Sequence, residues 1–306
     1  MVNRIVVAVD DAAAFKDKGC AMNCAGTLAR QTGGEVALLH VQPPSSDAQA
    51  TITPYQYEGI VGARRVEQRE HLADTAEALE GIHDRVKASW GVDGDWRATH
   101  GEVRRTLRHA VESLAGDLII ARVGDERCPS AYLAQMPEGV IRDTKVPVLF
   151  VPGGPCRLMQ GVQSVLVPLD GSAGSEEALP LALRLLHGEG SLHLLTVVPA
   201  SRIEPLRRRG ADALRSRAAA ERYLESVAAR PELADVHLEW NVLDGMPAER
   251  AIQDEADRLN VSLVAMSTRA HDGLAGMLLG NVTHEVLKTT RVPLLVHRTG
   301  TAAQAA

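Results

Sequence analysis

The chain has 306 residues, 45% of them apolar and 24% charged, with a formal net charge of −6. That length suits two domains of ordinary size, each able to bury its own core. The mild acidity argues against a nucleic-acid binder built on a general basic field, and an aromatic content of 3% leaves little for base stacking.

A first strand, Ile5-Val6-Val7-Ala8-Val9, is predicted close to Met1 and runs into Asp10. No signal peptide with a basic region, apolar stretch and cleavage site is read before it, and no apolar run is long enough for a bilayer. The expected location is the cytoplasm, with no membrane partner. A helix follows from Lys18 to Gln31 and closes at Gly33-Gly34. Cys20 and Cys24 stand one turn apart on it and read as small buried side chains. Together with Cys128 and Cys156 they form neither a disulfide framework nor a zinc-ligand spacing, so no metal site is expected. The next strand is Glu35 to Val41. A polar excursion around Pro43 to Gly62 then lengthens the first half by 12 residues, comparing His40–Trp96 with Thr196–Trp240. A strand at Trp96 is followed by Arg104, Arg105 and Arg108, read as a solvated helix face, and the half closes on Val146-Pro147-Val148-Leu149-Phe150-Val151.

The same order then returns. Val165-Leu166-Val167-Pro168-Leu169-Asp170 answers to Ile5–Asp10, and Ser191-Leu192-His193-Leu194-Leu195-Thr196-Val197 to Glu35–Val41. Trp240 and Gly245 repeat Trp96 and Gly101, and Val292-Pro293-Leu294-Leu295-Val296-His297 repeats Val146–Val151. A repeat of this length is a whole domain, not a solenoid unit. Its strands are apolar on consecutive residues, as in a parallel sheet covered on both faces, and they alternate with amphipathic helices. One helix is predicted to open at Ser175-Glu176-Glu177, with Pro180 kinking an early turn and Gly188 closing it. The fold class is therefore α/β, with two tandem doubly wound domains of five parallel strands each. They are placed at residues 1–152 and 163–298, with a Pro/Gly linker at 153–162 and a frayed tail at 299–306. The halves are expected to pack about a pseudo-two-fold axis. Their apolar final strands, at sheet edges, should be covered by each other or by a second chain.

The second half resembles the universal stress protein family along nearly its whole length. The resemblance lies in Val165–Ser172, the Val242-Leu243-Asp244-Gly245-Met246-Pro247-Ala248 turn, Leu263–Ala270, Leu278–Thr283 and Val292–Val296. The first half is similar within the same frame, so the chain looks like a tandem universal stress protein of Rossmann-like fold. Members that bind ATP carry Gly-x-x-Gly, nine residues, then Gly followed by Ser or Thr. Such glycines let backbone N–H groups approach phosphate at a helix N-terminus. In this chain Ser267 and Ala270 take the first two glycine positions, Gly280 is kept, and Asn281 replaces the hydroxyl residue, a sound N-cap with Thr283 on the first turn. Val282 lies between them, and Arg269 lies inside the loop. In the first half the motif is lost in either of two registers. In one, Ala121, Gly124 and Ala134 take the glycine positions; in the other, Arg122 and Asp125 replace the first two. Asp125 and Glu126 add repulsion. The resemblance implies that Asp170 and Asp10 contact adenosine, with Val197 and Val41 beside the base. The plainer alternative is an aspartate that caps the turn into the next helix. Arg207-Arg208-Arg209 reads as a solvated face, and His271-Asp272 as an ordinary surface pair. No Walker lysine, HExxH or nucleophile elbow is present.

Two functions compete. One is a non-catalytic stress-response protein that acts through unidentified protein partners or by assembly, as an intramolecular pseudo-dimer or a homodimer, with its nucleotide sites largely lost and no cofactor. The other is a sensor that binds ATP or another adenine nucleotide in the second domain.

Overall fold

The computed structural model describes residues 2–9, 20–42, 75–100, 103–123, 139–141, 144–152, 157–158, 160–186, 188–198, 214, 216–268 and 280–299. The first half contains β1 (Arg4–Ala8), α1 (Cys20–Thr32), β2 (Glu35–Gln42), a helix α2 at 75–90, β3 (Gly94–His100), α3 (Val103–Ser113), β4 (Leu118–Val123) and β5 (Val148–Pro152). The second contains β6 (Ser164–Pro168), α4 (Ala173–Glu176), α5 (Ala178–Leu185), β7 (Ser191–Val198), α6 (Arg217–Ala228) and β8 (His237–Asp244). It closes with α7 (Ala248–Arg258), β9 (Leu263–Thr268), α8 (Asn281–Thr289) and β10 (Leu294–Arg298).

The strands are continuous apolar runs because both faces of the sheet are covered. Ile5 and Val7 point into one layer with Leu28 of α1 and Leu79 of α2, while Val6 and Ala8 point into the other with Leu107 of α3. In the second half Val165 and Val167 share the first layer with Leu185 and Leu224, and Leu166 shares the second with Ile252 and Leu287.

All ten strands form one sheet in the order β3-β2-β1-β4-β5-β10-β9-β6-β7-β8. Neighbours run parallel, except that β10 pairs β5 antiparallel. Each half keeps its own five strands together, and the two final strands cover each other's edge. The expected five-stranded sheets are thus continuous with each other. One consequence positions the sites: across an antiparallel seam, the C-terminal strand ends of the two halves point to opposite ends of the sheet. Around the seam, Gln31 of α1 donates from Nε2 to the Leu185 carbonyl (2.7 Å) and accepts the Val162 N–H (3.2 Å), and Arg157 pairs with Asp257 at 2.7 Å.

The start of the first helix in the second half differs from expectation. Ser172, not Ser175, is the N-cap: its extended backbone opens α4 and its Oγ accepts the Ser175 N–H. The kink expected from Pro180 is a break at Glu177, because proline has no N–H to offer the carbonyl one turn back. The excursion around Pro43 to Gly62 and most of the linker and tail lie outside the described residues.

Candidate functional site

In open α/β sheets the ligand crevice opens beyond the C-terminal strand ends, where neighbouring strands send their chains to opposite faces. In the second half that place lies between β6, which pairs with both β7 and β9, and β9 itself. β6 leads to α4 and α5 over one core layer, and β9 leads to α8 over the other.

Asp170 stands just past β6 and is exposed, as a ligand-contacting carboxylate would be. Its Oδ1, however, accepts both the N–H (3.0 Å) and the hydroxyl (2.6 Å) of Ser172, while its own N–H donates to Ser175 Oγ at 3.3 Å. The turn depends on Gly171 at φ +82°, a conformation costly for other residues. Leu214 packs over this turn, 3.2 Å from where a Gly171 Cβ would sit. One oxygen of the carboxylate thus braces the helix start.

The second strand of each half ties down the residue before that aspartate. Thr196 Oγ1 donates to the Leu169 carbonyl at 3.0 Å. In the first half His40 Nδ1 lies 2.8 Å from the Val9 carbonyl, which only accepts, so the proton sits on Nδ1. A hydroxyl and an imidazole thus make the same bond at equivalent positions. Val197 and Val41, one residue further on, are half-buried and pack on the second core layer. Asp10 and Gly124 lie outside the described residues, as do Arg269 and Ala270.

At the far wall, Ser267 belongs to strand β9, with its Oγ buried and without a hydrogen-bond partner among the described residues. The adjacent Thr268, which sequence reasoning passed over, is buried, and its Oγ1 accepts the Gly280 N–H at 3.2 Å. Gly280, not Asn281, is the N-cap of α8, and among the described residues no side chain caps that helix start. Asn281 is exposed on the first turn, Val282 is half-buried and Thr283 is buried. Gly280 has φ −57°, and no described atom lies within 4 Å of where its Cβ would be, so the described fold does not itself demand glycine there.

His297, the register partner of Ser267 on β10, is buried with Nε2 3.7 Å from Glu177 Oε2. Burial lowers its pKa and Glu177 opposes that shift. Sequence reasoning missed this pair, because the contact joins residues 120 positions apart. Among the described residues no group of three His, Cys, Asp or Glu side chains is placed to hold a metal ion. Among the described residues that a nucleotide would meet, one Asp170 oxygen is engaged by its own turn, the Gly280 N–H by Thr268, and Ser267 stands at one of the glycine positions.

Comparison with known proteins places this frame. The sequence profile of the Universal stress protein family matches residues 1–152 and again 161–298. A universal stress protein of Synechocystis sp. is 24% identical over 288 residues, 90% of this chain and 93% of that one. A universal stress protein of Mycobacterium tuberculosis is 35% identical over 136 residues, 44% of this chain and 45% of its own length. The crystal structure of a universal stress protein from Archaeoglobus fulgidus covers 97% of this chain and 96% of its own at 19% identity, with a TM-score of 0.64.

Proposed function

The chain belongs to the universal stress protein family, and from that premise we propose that it is a non-catalytic tandem member whose nucleotide sites persist only as a frame. Family membership supports a role in the stress response. On our reading the two domains, 1–152 and 163–298, act through protein partners or through assembly. The observation that carries this is the engagement of the site's own groups: Asp170 Oδ1 by Ser172, and the Gly280 N–H by Thr268. Each bond would have to be given up, or shared, for a nucleotide to be held. Among the described residues no helix is long and apolar enough to cross a membrane.

Gly280 favours a second reading. Among the described residues no atom lies near where its Cβ would be and no side chain caps the start of α8, which favours close approach of a ligand to that helix start. An adenine-nucleotide sensor using Asp170, Val197 and the start of α8 would use that space. Native mass spectrometry of the purified protein, with calorimetric titration of ATP, separates the two. The first reading expects no co-purified nucleotide and no micromolar binding. Bound nucleotide, or micromolar affinity, would establish the second.

A further inference from the structure

Cys20 and Cys24 lie on consecutive turns of α1 with their sulfurs 3.9 Å apart, one thiol donating to the other sulfur. They differ in access. Cys20 is half-buried at the edge of the core, whereas Cys24 is fully buried among Ala21, Ala25 and Leu28. We propose that this pair is a reversible redox site, in which Cys20 meets a hydroperoxide and Cys24 resolves it to a disulfide.

The exposure gradient assigns the roles, because a peroxide reaches Cys20 first. Either thiol can donate in this contact, and in the arrangement in which Cys24 donates, the bond favours the anionic form of the Cys20 sulfur, the nucleophile. The Cys20 thiolate attacks the outer peroxide oxygen and breaks the O–O bond, leaving a sulfenic acid and releasing an alcohol, or water when the oxidant is hydrogen peroxide. Cys24 sulfur then attacks Cys20 sulfur, and the hydroxyl leaves as water after taking up a proton. Two thiols supply the two electrons, and the peroxide is reduced.

The helix sets the character of the bond. Side chains four residues apart on a helix have Cβ atoms about 5–6 Å apart. An unstrained disulfide needs about 3.5–4.5 Å and an S–S bond near 2.05 Å. Closure therefore draws in the turn from Cys20 to Cys24, and the strain makes the disulfide easy to reduce, as regulatory pairs are. Cys24 sits in the core layer beneath β1, so distorting this turn disturbs the packing of the whole first half.

The chain itself makes the test simple. No lysine or arginine lies between Lys18 and Arg30, so trypsin releases both cysteines in the single peptide Gly19–Arg30. The reduced full-length protein is treated with hydrogen peroxide, blocked with N-ethylmaleimide and digested. The expected product is that peptide lighter by two hydrogens and carrying no label; treatment with dithiothreitol before blocking should restore double labelling. In a Cys24→Ala variant Cys20 should accumulate as a sulfenic acid trapped by dimedone. In Cys20→Ser, which changes only a half-buried position, Cys24 should stay unmodified. A doubly labelled peptide after peroxide, bridges from Cys20 to Cys128 or Cys156, or oxidation of Cys24 in Cys20→Ser would each overturn the proposal.

Discussion

Leu149 and Leu295 face each other across the antiparallel pair of β5 and β10, and they are the same position in the two sequence repeats. On either side Val148 pairs with Val296 and Phe150 with Leu294, so exchanging the halves maps the register onto itself. A local two-fold axis therefore passes between the two leucines. This is the isologous contact that homodimers make, here closed within one chain. It covers two uncharged strand edges that would otherwise invite pairing with other molecules. Both leucines are almost completely buried in the core layer that runs through both halves.

Truncating either leucine should therefore weaken the whole chain. Leu149→Ala and Leu295→Ala are each expected to cost about 2–5 kcal/mol. The double variant should cost less than the sum, because the contact between them is counted in both single changes. Urea unfolding of the four proteins measures this. Strict additivity would show that the two side chains do not share a contact.

Gly94 tests the outer edge of the sheet. A Cβ there would lie 1.8 Å from the Val36 carbonyl oxygen of β2, an atom of the neighbouring backbone that has no rotamer to yield. Gly94→Ala should push β3 away from β2 and destabilise by about 1–3 kcal/mol or more. Gly280→Ala is the milder comparison: its Cβ meets no described atom, and it should cost only what alanine loses to glycine at an N-cap, at most about 1 kcal/mol. Thermal denaturation of both variants decides. A Gly94→Ala protein as stable as the parent would mean that β3 does not lie this close to β2.

The frame was legible because it is written in repeated local patterns. Runs such as Ile5–Val9 and Val165–Leu169 mark strands buried on both faces, and their recurrence in order fixes two halves. The absence of charge on Val146–Val151 and Val292–Val296 marked both as edges in need of a cover, either each other or a second chain, and the structure pairs them with each other. The state of the site was not legible, because it depends on bonds without a sequence signature. Asp170 turns back onto Ser172 only because Gly171 takes a left-handed conformation, and that turn also moves the helix start from Ser175 to Ser172. Thr268 bonds to the Gly280 N–H twelve positions further along the chain. Such bonds depend on where the chain returns, which local pattern does not specify.

Acid should destabilise the protein in two stages. His193 on β7 lies 3.0 Å from Ser191 Oγ and 3.4 Å from Glu239, and burial lowers its pKa below the ordinary 6.5 despite the pull of Glu239. His297 is lowered for the same reason. Glu255, buried beneath β8, is held below the ordinary carboxylate value mainly by Arg258, with Asn241 also donating to it. For all three groups the folded pKa is the lower one, so the unfolded chain binds more protons as pH falls. Stability is then complete above the ordinary histidine range, declines below about pH 6.5 and declines again through the carboxylate range. Denaturation midpoints should fall between about pH 7.5 and about pH 5.5, and His193→Gln should reduce that fall. An unchanged slope in His193→Gln would assign the effect to His297 instead.

The last prediction concerns the substituted glycines. Ser267 lies in an extended strand, so a glycine there offers clearance for a phosphate and not left-handed freedom. Replacing it also removes a buried hydroxyl that has no partner among the described residues, which offsets part of the backbone entropy cost of about 0.5–1 kcal/mol. On the family pattern given above, the spacing of Ser267, Ala270 and Gly280 in the sequence is the one expected of ATP-binding members. Combining Ser267→Gly, Ala270→Gly and Asn281→Ser should therefore strengthen ATP binding at least about tenfold, a gain of about 1.4 kcal/mol. Adding Asp170→Ala should abolish that gain if the carboxylate can leave Ser172 for the adenosine. The same restoration in the first half should do little, because Asp125 and Glu126 place negative charge in that loop. Calorimetric titration of the parent, the triple variant and the quadruple variant provides the comparison. A triple variant that binds no better than the parent would move the obstacle from the glycines to the Thr268 hydroxyl that already holds the Gly280 N–H.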